Sequence, residues 1–566
     1  MKKKIVFGLS LLFLTLSCSK DFREVTPKGV ISESSLATEE GVNLLLIGAY
    51  SMLDQMRTGI NNDYYSTGDK FWFDIMSDDV HKGADNGDLA ELFQLSNHNY
   101  QTNNPFIFDE WKGLYAGVNR ANIVIAQAAL VEGADLAPQI AEARFLRAHF
   151  NFNLTRAWRD VPLIDYTDLN DPNKPNDGPL WASIEEDFQF AIDNLPPTQA
   201  ESGRANQWSA KAYLGKVYLY EHKYTEAAAI LQDVINNGPY SLLPEYNDNF
   251  GEAGEAGPES VFAIQFQNDG GQSFNGNRSF LKPLAGGPLN TCCGFYQPTQ
   301  DLANSFKTDE SGLPLLDTYN QTDIKNDQGL PSFEADGVTP IPFVIYDGPV
   351  DPRLDFTVGR RDIDWNGFGR FPGAAWIRVQ ANGGPYVSKK FQYRAWDYDA
   401  NRGQFGQFER PGIHYQIIRY ADVLLMAAEA VIESESNLSV ALDYVNRVRL
   451  RAKNSTYVPT IPGVNPTNYQ IEPYPYFPNA EYARKAVRFE RRLELATEGH
   501  RWFDLSRYGA DYYVNTINTF FRNEARTIRG LENLTSPALP KHVILPIPLS
   551  AIDLSNNVLH QNTEWQ

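Results

Sequence analysis

Apolar residues recur at three- and four-residue intervals along most of this chain, the spacing that lines one face of an α-helix. Val42, Leu45, Leu46, Ala49, Met52 and Leu53 predict a helix over 40–56, and Leu114, Val118, Ala121, Ile125 and Ala128 another over 111–131. Pro138 opens a longer one that runs to Trp158 with Ala143, Leu146, Ala148, Phe150, Phe152 and Leu154. After a loop rich in Pro, Asn and Asp at 160–179, Leu180 to Leu195 predicts the next, closed by Pro196-Pro197. Tyr415–Ile432 and Leu438–Ala452 form a later pair, the second with Ala441, Leu442, Val445 and Val448 on its inner face. Near the C-terminus Asn479 is an N-cap, and Glu481 suits the positive end of the helix it starts. Val487, Leu493 and Ala496 share that helix's buried stripe, Gly499 stops it, and Arg501–Arg507 predicts a short helix turning Trp502 and Phe503 inward.

Residues 206–239 say how such helices stack. Leu214-Gly215, Tyr218, Ala227, Leu231 and Pro239 fall at the offsets of a tetratricopeptide repeat, with Lys211 in place of the usual Trp. Gly215 and Ala227 are small where paired helices cross closely. The fold class is therefore mainly α, a tetratricopeptide-repeat-like scaffold of helix pairs. Between Pro239 and Gln416 the periodicity fades and Gly and Pro multiply. Strand candidates stand there at Val261–Phe266, Phe343–Tyr346 and Leu354–Val358. This is a long, loop-rich, partly β insertion, and 453–478 is a second, shorter excursion.

A chain of 566 residues exceeds one compact core, but a repeat array escapes that limit because each unit contacts its neighbours. The net charge of −20 and pI near 4.9 exclude nucleic acid as a partner, since phosphate binding needs clustered cations. Lys2–Lys4 followed by the apolar run Ile5–Leu16 is an export signal over residues 1–17, and the run's 12 residues fall short of the ~20 that span a bilayer. Leu16-Ser17-Cys18 resembles a lipobox, with Thr15 where Leu is preferred. It implies an acylated Cys18 that anchors the chain, followed by a tether over 18–40. Cys292 and Cys293 are adjacent; they either close a vicinal ring or remain free thiols.

Candidate chemistry is that of binding. The sequence holds no Gly-x-Ser-x-Gly elbow, His-Glu-x-x-His or phosphate-cradling loop, its eight His form no ligand-spaced cluster, and no cofactor or metal is expected. Indole and phenol rings, by contrast, stack on the apolar faces of pyranoses, while placed polar groups bind their hydroxyls. One such constellation is Trp72 with Asp78 beyond it. The other is the Gly/Pro loop Asp364–Trp376, where Trp365 and Trp376 are the stacking candidates and Asn366 and Arg370 the polar ones; Tyr296 is a further ring. Arg353, Arg360, Arg361, Arg370 and Arg378 crowd this region, which suits a uronate, yet Asp351, Asp355, Asp362 and Asp364 interleave them, which favours a neutral glucan.

The stretch Glu490-Arg-Arg-Leu-Glu-Leu-Ala-Thr-Glu-Gly-His-Arg-Trp-Phe-Asp closely resembles the C-terminal hallmark of the SusD-like (RagB/SusD) family. Glu142-Ala-Arg-Phe-Leu-Arg-Ala, Arg419-Tyr-Ala-Asp-Val-Leu-Leu-Met-Ala-Ala-Glu-Ala, Pro298-Thr-Gln-Asp-Leu, Asp351-Pro-Arg-Leu and Leu545-Pro-Ile-Pro are similar to its other landmarks, in order. The usual Asn-Pro-Gly-like close is replaced by Asn562-Thr-Glu-Trp-Gln. The resemblance implies a lipid-anchored outer-membrane protein facing the exterior. It would capture oligosaccharide and deliver it to a SusC-like TonB-dependent transporter, and it would not be an enzyme. The rivals are a receptor for peptide or another nutrient and a glycan-degrading enzyme. The implied layout is a scaffold over 41–239, a glycan-binding insertion over 240–414, and a closing scaffold over 415–566. The hallmark's charges are expected to pair between helices rather than touch ligand.

Overall fold

The computed structural model describes residues 36–54, 73–266, 284–289, 293–402, 411–435 and 437–566; Cys18, Trp72 and Cys292 lie outside them. Thr38 caps α1 (Glu39–Tyr50) by accepting from Gly41 N, and Asn104 with Pro105 starts α2 (Pro105–Ala128) by accepting from Phe106 N. The chain continues through α3 (Ala137–Trp158), α4 (Trp181–Asn194), α5 (Gln207–Tyr220) and α6 (Tyr224–Asn237), each packed on the helix before it. This is the tetratricopeptide-repeat-like stack expected from the spacing. At the α5–α6 crossing a Cβ on Gly215 would lie 2.6 Å from the Leu231 side chain, so only glycine lets the two helices meet there. Lys211 covers the indole of Trp208 at 4.4 Å and bonds Asp233 at 2.6 Å.

The stack resumes across the insertion. Helix α6 packs on α7 (Tyr420–Glu433), and α7 in turn carries α8 (Leu438–Asn454) and α9 (Ala480–Leu495). Then come α10 (Arg501–Arg507) and α11 (Ala510–Glu524). Among the described residues no helix is long and apolar enough to cross a membrane. The described residues form three two-stranded antiparallel sheets, of which two tie the insertion to the frame and the third lies within the insertion. They pair β1 (Val80–Gly83) with β3 (Phe295–Pro298), β2 (Ser260–Ile264) with β6 (Tyr415–Arg419), and β4 (Val358–Gly359) with β5 (Val387–Ser388).

Three expectations are corrected here. The helix expected from Tyr415 starts at Tyr420, because Tyr415–Arg419 pairs as β6 with Ser260–Ile264. Leu354–Val358, expected as a strand, is mostly the short helix Arg353–Thr357. Pro352 sets its entry and the Asp351 carboxylate accepts from Arg353 N at 2.9 Å, a helix start that outweighs weak β propensity. Phe343–Tyr346 forms no strand.

Asn479 caps α9 as expected, and the charges of its C-terminal half, Glu490, Arg491, Arg492 and Glu494, face inward. Glu494 is met by Arg419 at 2.6 Å, Arg353 at 2.9 Å and Arg451; Glu498 by Arg419 at 2.8 Å and Lys390 at 2.7 Å; Glu490 by Arg353 at 2.7 Å and Arg449 at 2.8 Å. Glu259, from the insertion, bonds Arg419 and Arg451, each at 2.9 Å. On the other flank Arg491 joins Asp422 to Asp504, and Arg507 joins Glu429 to Asp504. Burial alone would raise the Glu494 carboxyl, but Arg451, Arg419 and Arg353 hold it well below the usual carboxylate range. A buried charge stripped of its partner is costly, so Arg419→Met should destabilise the fold by about 3–5 kcal/mol in urea unfolding at neutral pH. A folded-state value below the unfolded one makes Glu494's contribution complete above about pH 4.3 and lost progressively as pH falls further. The gap between wild type and Arg419→Met should therefore narrow in acid.

Candidate functional site

Of the first expected constellation, Trp72 lies outside the described residues and Asp78 turns inward. Asp78 is wholly buried, bonded by Arg501 through two contacts of 2.7 and 2.8 Å and by Arg492 at 3.1 Å. Burial opposes its ionisation, but the Arg492 and Arg501 charges hold the carboxyl down at about 2. Arg492 also bonds Asp79 at 2.8 Å and Asp301 at 2.9 Å. Asp78 is thus a brace between β1 and the α9–α10 corner, corrected from a sugar contact. Tyr296 is corrected likewise: its ring is buried and its hydroxyl donates to Asp74, whose same carboxylate oxygen accepts from Gly499 N at 3.0 Å. Cys293 is disulfide-bonded.

The second constellation splits between core and surface. Residues 362–371 fold back as a tight hairpin: Trp365 N donates to Gly369 O at 2.8 Å and Phe371 N to Ile363 O at 2.9 Å. The Asp364 carboxylate closes the turn by accepting from Gly367 N at 2.7 Å and Gly369 N at 3.0 Å. Asn366 sits in the left-handed region and spends its amide on the carbonyls of Lys389 at 3.0 Å and Tyr393 at 3.2 Å. Trp365 is 0 % exposed. The bare backbone of Gly359 admits it, since a Cβ there would lie 2.9 Å from the indole, and Val387 packs on the same glycine. Trp365 and Asn366 are therefore structural, corrected from stacking and hydroxyl-binding roles. Arg370 is half-exposed but committed to Asp362 at 2.6 Å.

Around this buried indole the rings come outward. Trp376 is half-buried, edge-on to Trp365 at 6.3 Å between centroids, with the backbone of Gly287 close against it. Phe368, also half-buried, lies 5.8 Å from Trp365 and 6.1 Å from Tyr398. Trp396 is 61 % exposed, and among the described residues no other tryptophan is as open. Its six-membered ring rests on Gly367, where a Cβ would come within 2.7 Å of it. Trp396 is seated on the glycine that precedes Phe368, and Phe368 in turn meets Tyr398; Trp396 is exposed and the other two rings are half-buried. Sequence reading missed Trp396, although Arg394-Ala-Trp-Asp-Tyr-Asp lacks any helical period and would have carried that signal. Among the described residues no three His, Cys, Asp or Glu side chains are grouped to hold a metal ion.

The model of the SusD family matches residues 258–565, and that of a SusD-like family described as starch-binding and associating with the outer membrane matches 32–219. SusD-like protein P2 of Formosa agariphila is 24% identical over 580 residues, covering 99% of each chain. A SusD-like protein of Bacteroides ovatus is 25% identical over 558 residues, covering 92% of this chain and 86% of its own. Among solved structures, a laminarin-binding SusD-like protein superposes with a TM-score of 0.64 at 23% identity, over 93% of this chain and 99% of its own. The surface glycan-binding protein A of Bacteroides thetaiotaomicron, in complex with laminarihexaose, gives 0.64 at 19%, over the same shares.

Two measurements test these placements. Trp365→Ala should cost about 3–5 kcal/mol in urea unfolding, as for a core indole. Burial pushes the Asp74 carboxyl up to about 8 against the bonds from Tyr296 and Gly499, with the Asp79 charge adding to the rise. The folded value lies above the unfolded one near 3.9, so Asp74's contribution is complete below about pH 4 and is lost as pH climbs towards 8. Asp74→Asn should flatten that decline in urea midpoints taken across the range.

Proposed function

This chain belongs to the SusD family, and from that premise we propose that it is a glycan-capturing protein of the cell surface. It would be held in the outer membrane by an acylated Cys18 and would hand oligosaccharide to a SusC-like, TonB-dependent barrel. The observation that carries the reading is the Trp396 ring lying open on Gly367 beside Phe368 and Tyr398, a hydrophobic shelf on an otherwise acidic protein. Such a shelf binds the C–H face of a sugar and does no bond chemistry. Relatives whose names record laminarin or laminarihexaose binding support the sugar reading. The helical frame would pack on the barrel and the insertion would face the glycan trapped beneath it. Trp376 would extend the shelf, and Trp72 and the Cys292–Cys293 segment remain further candidates for it.

The mature protein should retard in native gels containing at least one polysaccharide and should release no reducing ends from it. Retardation by none, or release of reducing ends, overturns the reading. Mass spectrometry of the mature N-terminus should find Cys18 acylated; a free amine there removes the anchor.

A further inference from the structure

Stacking rings accept almost any pyranose, so the charges beside them decide which polymers approach. Residues 351–402 hold seven arginines and two lysines, the set a polyuronate would need. Each arginine is already matched by a carboxylate of this chain. Arg353 faces Asp351, Arg360 faces Asp355, Arg361 faces Asp327, Arg370 faces Asp362, Arg378 faces Asp88, Arg394 faces Asp397 and Arg402 faces Asp399. Lys390 bonds Glu498, and Lys389 is spent on the carbonyls of Asp355 and Asp364. Arg410 lies outside the described residues.

Exchanging these partners is expensive. A uronate taking Arg370 would strand the Asp362 carboxylate, whose side chain is 2% exposed, and taking Arg360 or Arg394 would strand Asp355 or Asp397, which are also buried. Two of the pairs are open to solvent on both sides: Arg378–Asp88 and, more fully, Arg402–Asp399 at 3.6 Å. The latter stands next to Tyr398 and offers a donor and an acceptor side by side with no net charge, which suits a pair of sugar hydroxyls. The chain's net charge of −20 also repels any polyanion at long range.

We propose that the shelf formed by Trp396, Phe368 and Tyr398 takes neutral glycans, with Trp396 as its stacking residue and the Asp399–Arg402 pair addressing hydroxyls. Polymers of uronic acid and sulfated polymers are excluded. This rests on the glycan-capture reading above and adds to it a location and a substrate class.

Affinity electrophoresis of the mature protein against laminarin, xylan and mannan as neutral polymers, and against alginate and polygalacturonate as polyuronates, tests both. The expected result is retardation by a neutral polymer that does not change between about 0.05 and about 0.5 M NaCl. Trp396→Ala should weaken it at least about tenfold, the size of one lost stacking contact. Trp396→Phe should restore most of it, and the melting temperature of both variants should stay at the wild-type value because the ring is exposed. Salt-sensitive retardation by a polyuronate, with none by neutral polymers, overturns the class while leaving glycan capture standing. Neutral-polymer binding unchanged in Trp396→Ala overturns the location. Retardation by no polymer overturns both this inference and the reading beneath it.

Discussion

The interaction on which this structure depends is the buried lattice of arginines and carboxylates around the end of α9. Arg419, Arg451, Arg353, Glu259, Glu494 and Glu498 are drawn from β6, α8, the insertion, α9 and the turn that follows it, and all are almost free of solvent. Ion pairs of this kind contribute little net stability against an apolar core of the same shape, because desolvation consumes most of the attraction. What they fix is geometry. An aliphatic contact tolerates a slide of an ångström, whereas a bidentate guanidinium–carboxylate contact does not. Here the lattice joins segments more than two hundred residues apart in sequence, so it sets how the insertion sits on the helices.

The same lattice reaches the ring surface through two consecutive residues. Lys390 donates to Glu498 and to the carbonyls of Glu494 and Ala496, which locks β5 and the segment after it onto the α9 corner. Its neighbour Lys389 donates to the carbonyl of Asp364, and the Lys389 carbonyl accepts from Asn366, which holds the hairpin that buries Trp365. Four residues on, Arg394 closes on Asp397 and Ala395 N donates to Asn366 O, so the turn between them lays Trp396 over Gly367. Burial lowers both lysines to about 8, still charged at neutral pH. The exposed ring is therefore the end of a chain of buried polar contacts, not the tip of a free loop.

Much of this was legible in the sequence because it is local. The helical periods of α1 to α9, the Asn479 cap and the small residue at 215 report contacts within one helix or one helix pair, and the hallmark's alternating Arg and Glu reported inter-helix pairing. The failures are non-local. Tyr415–Arg419 reads as the start of a helix, and only Ser260–Ile264, some 150 residues earlier, makes it a strand. Asp78 looks like a free acid until Arg492 and Arg501 arrive from over four hundred residues away. Trp365 carries the same Gly-rich context as an exposed ring, and nothing in its own loop records that Gly359 opens a slot for it.

That last case bears on how a binding surface can be built in a loop-rich insertion. A tryptophan on a mobile loop would lose conformational freedom on meeting a sugar, and weak stacking energy cannot offset much of that loss. Burying one indole under the hairpin removes the problem beforehand: Trp365 orders the turn whose glycines then receive Trp396, and it braces Trp376 and Phe368 from behind. The ordering cost is met during folding, by the core and the charge lattice, so a ligand of the proposed class would meet a surface already in place. The ring buried under the hairpin and the ring laid over its Gly367 are two halves of one device, and the more conspicuous tryptophan of the sequence is the one sealed in the core.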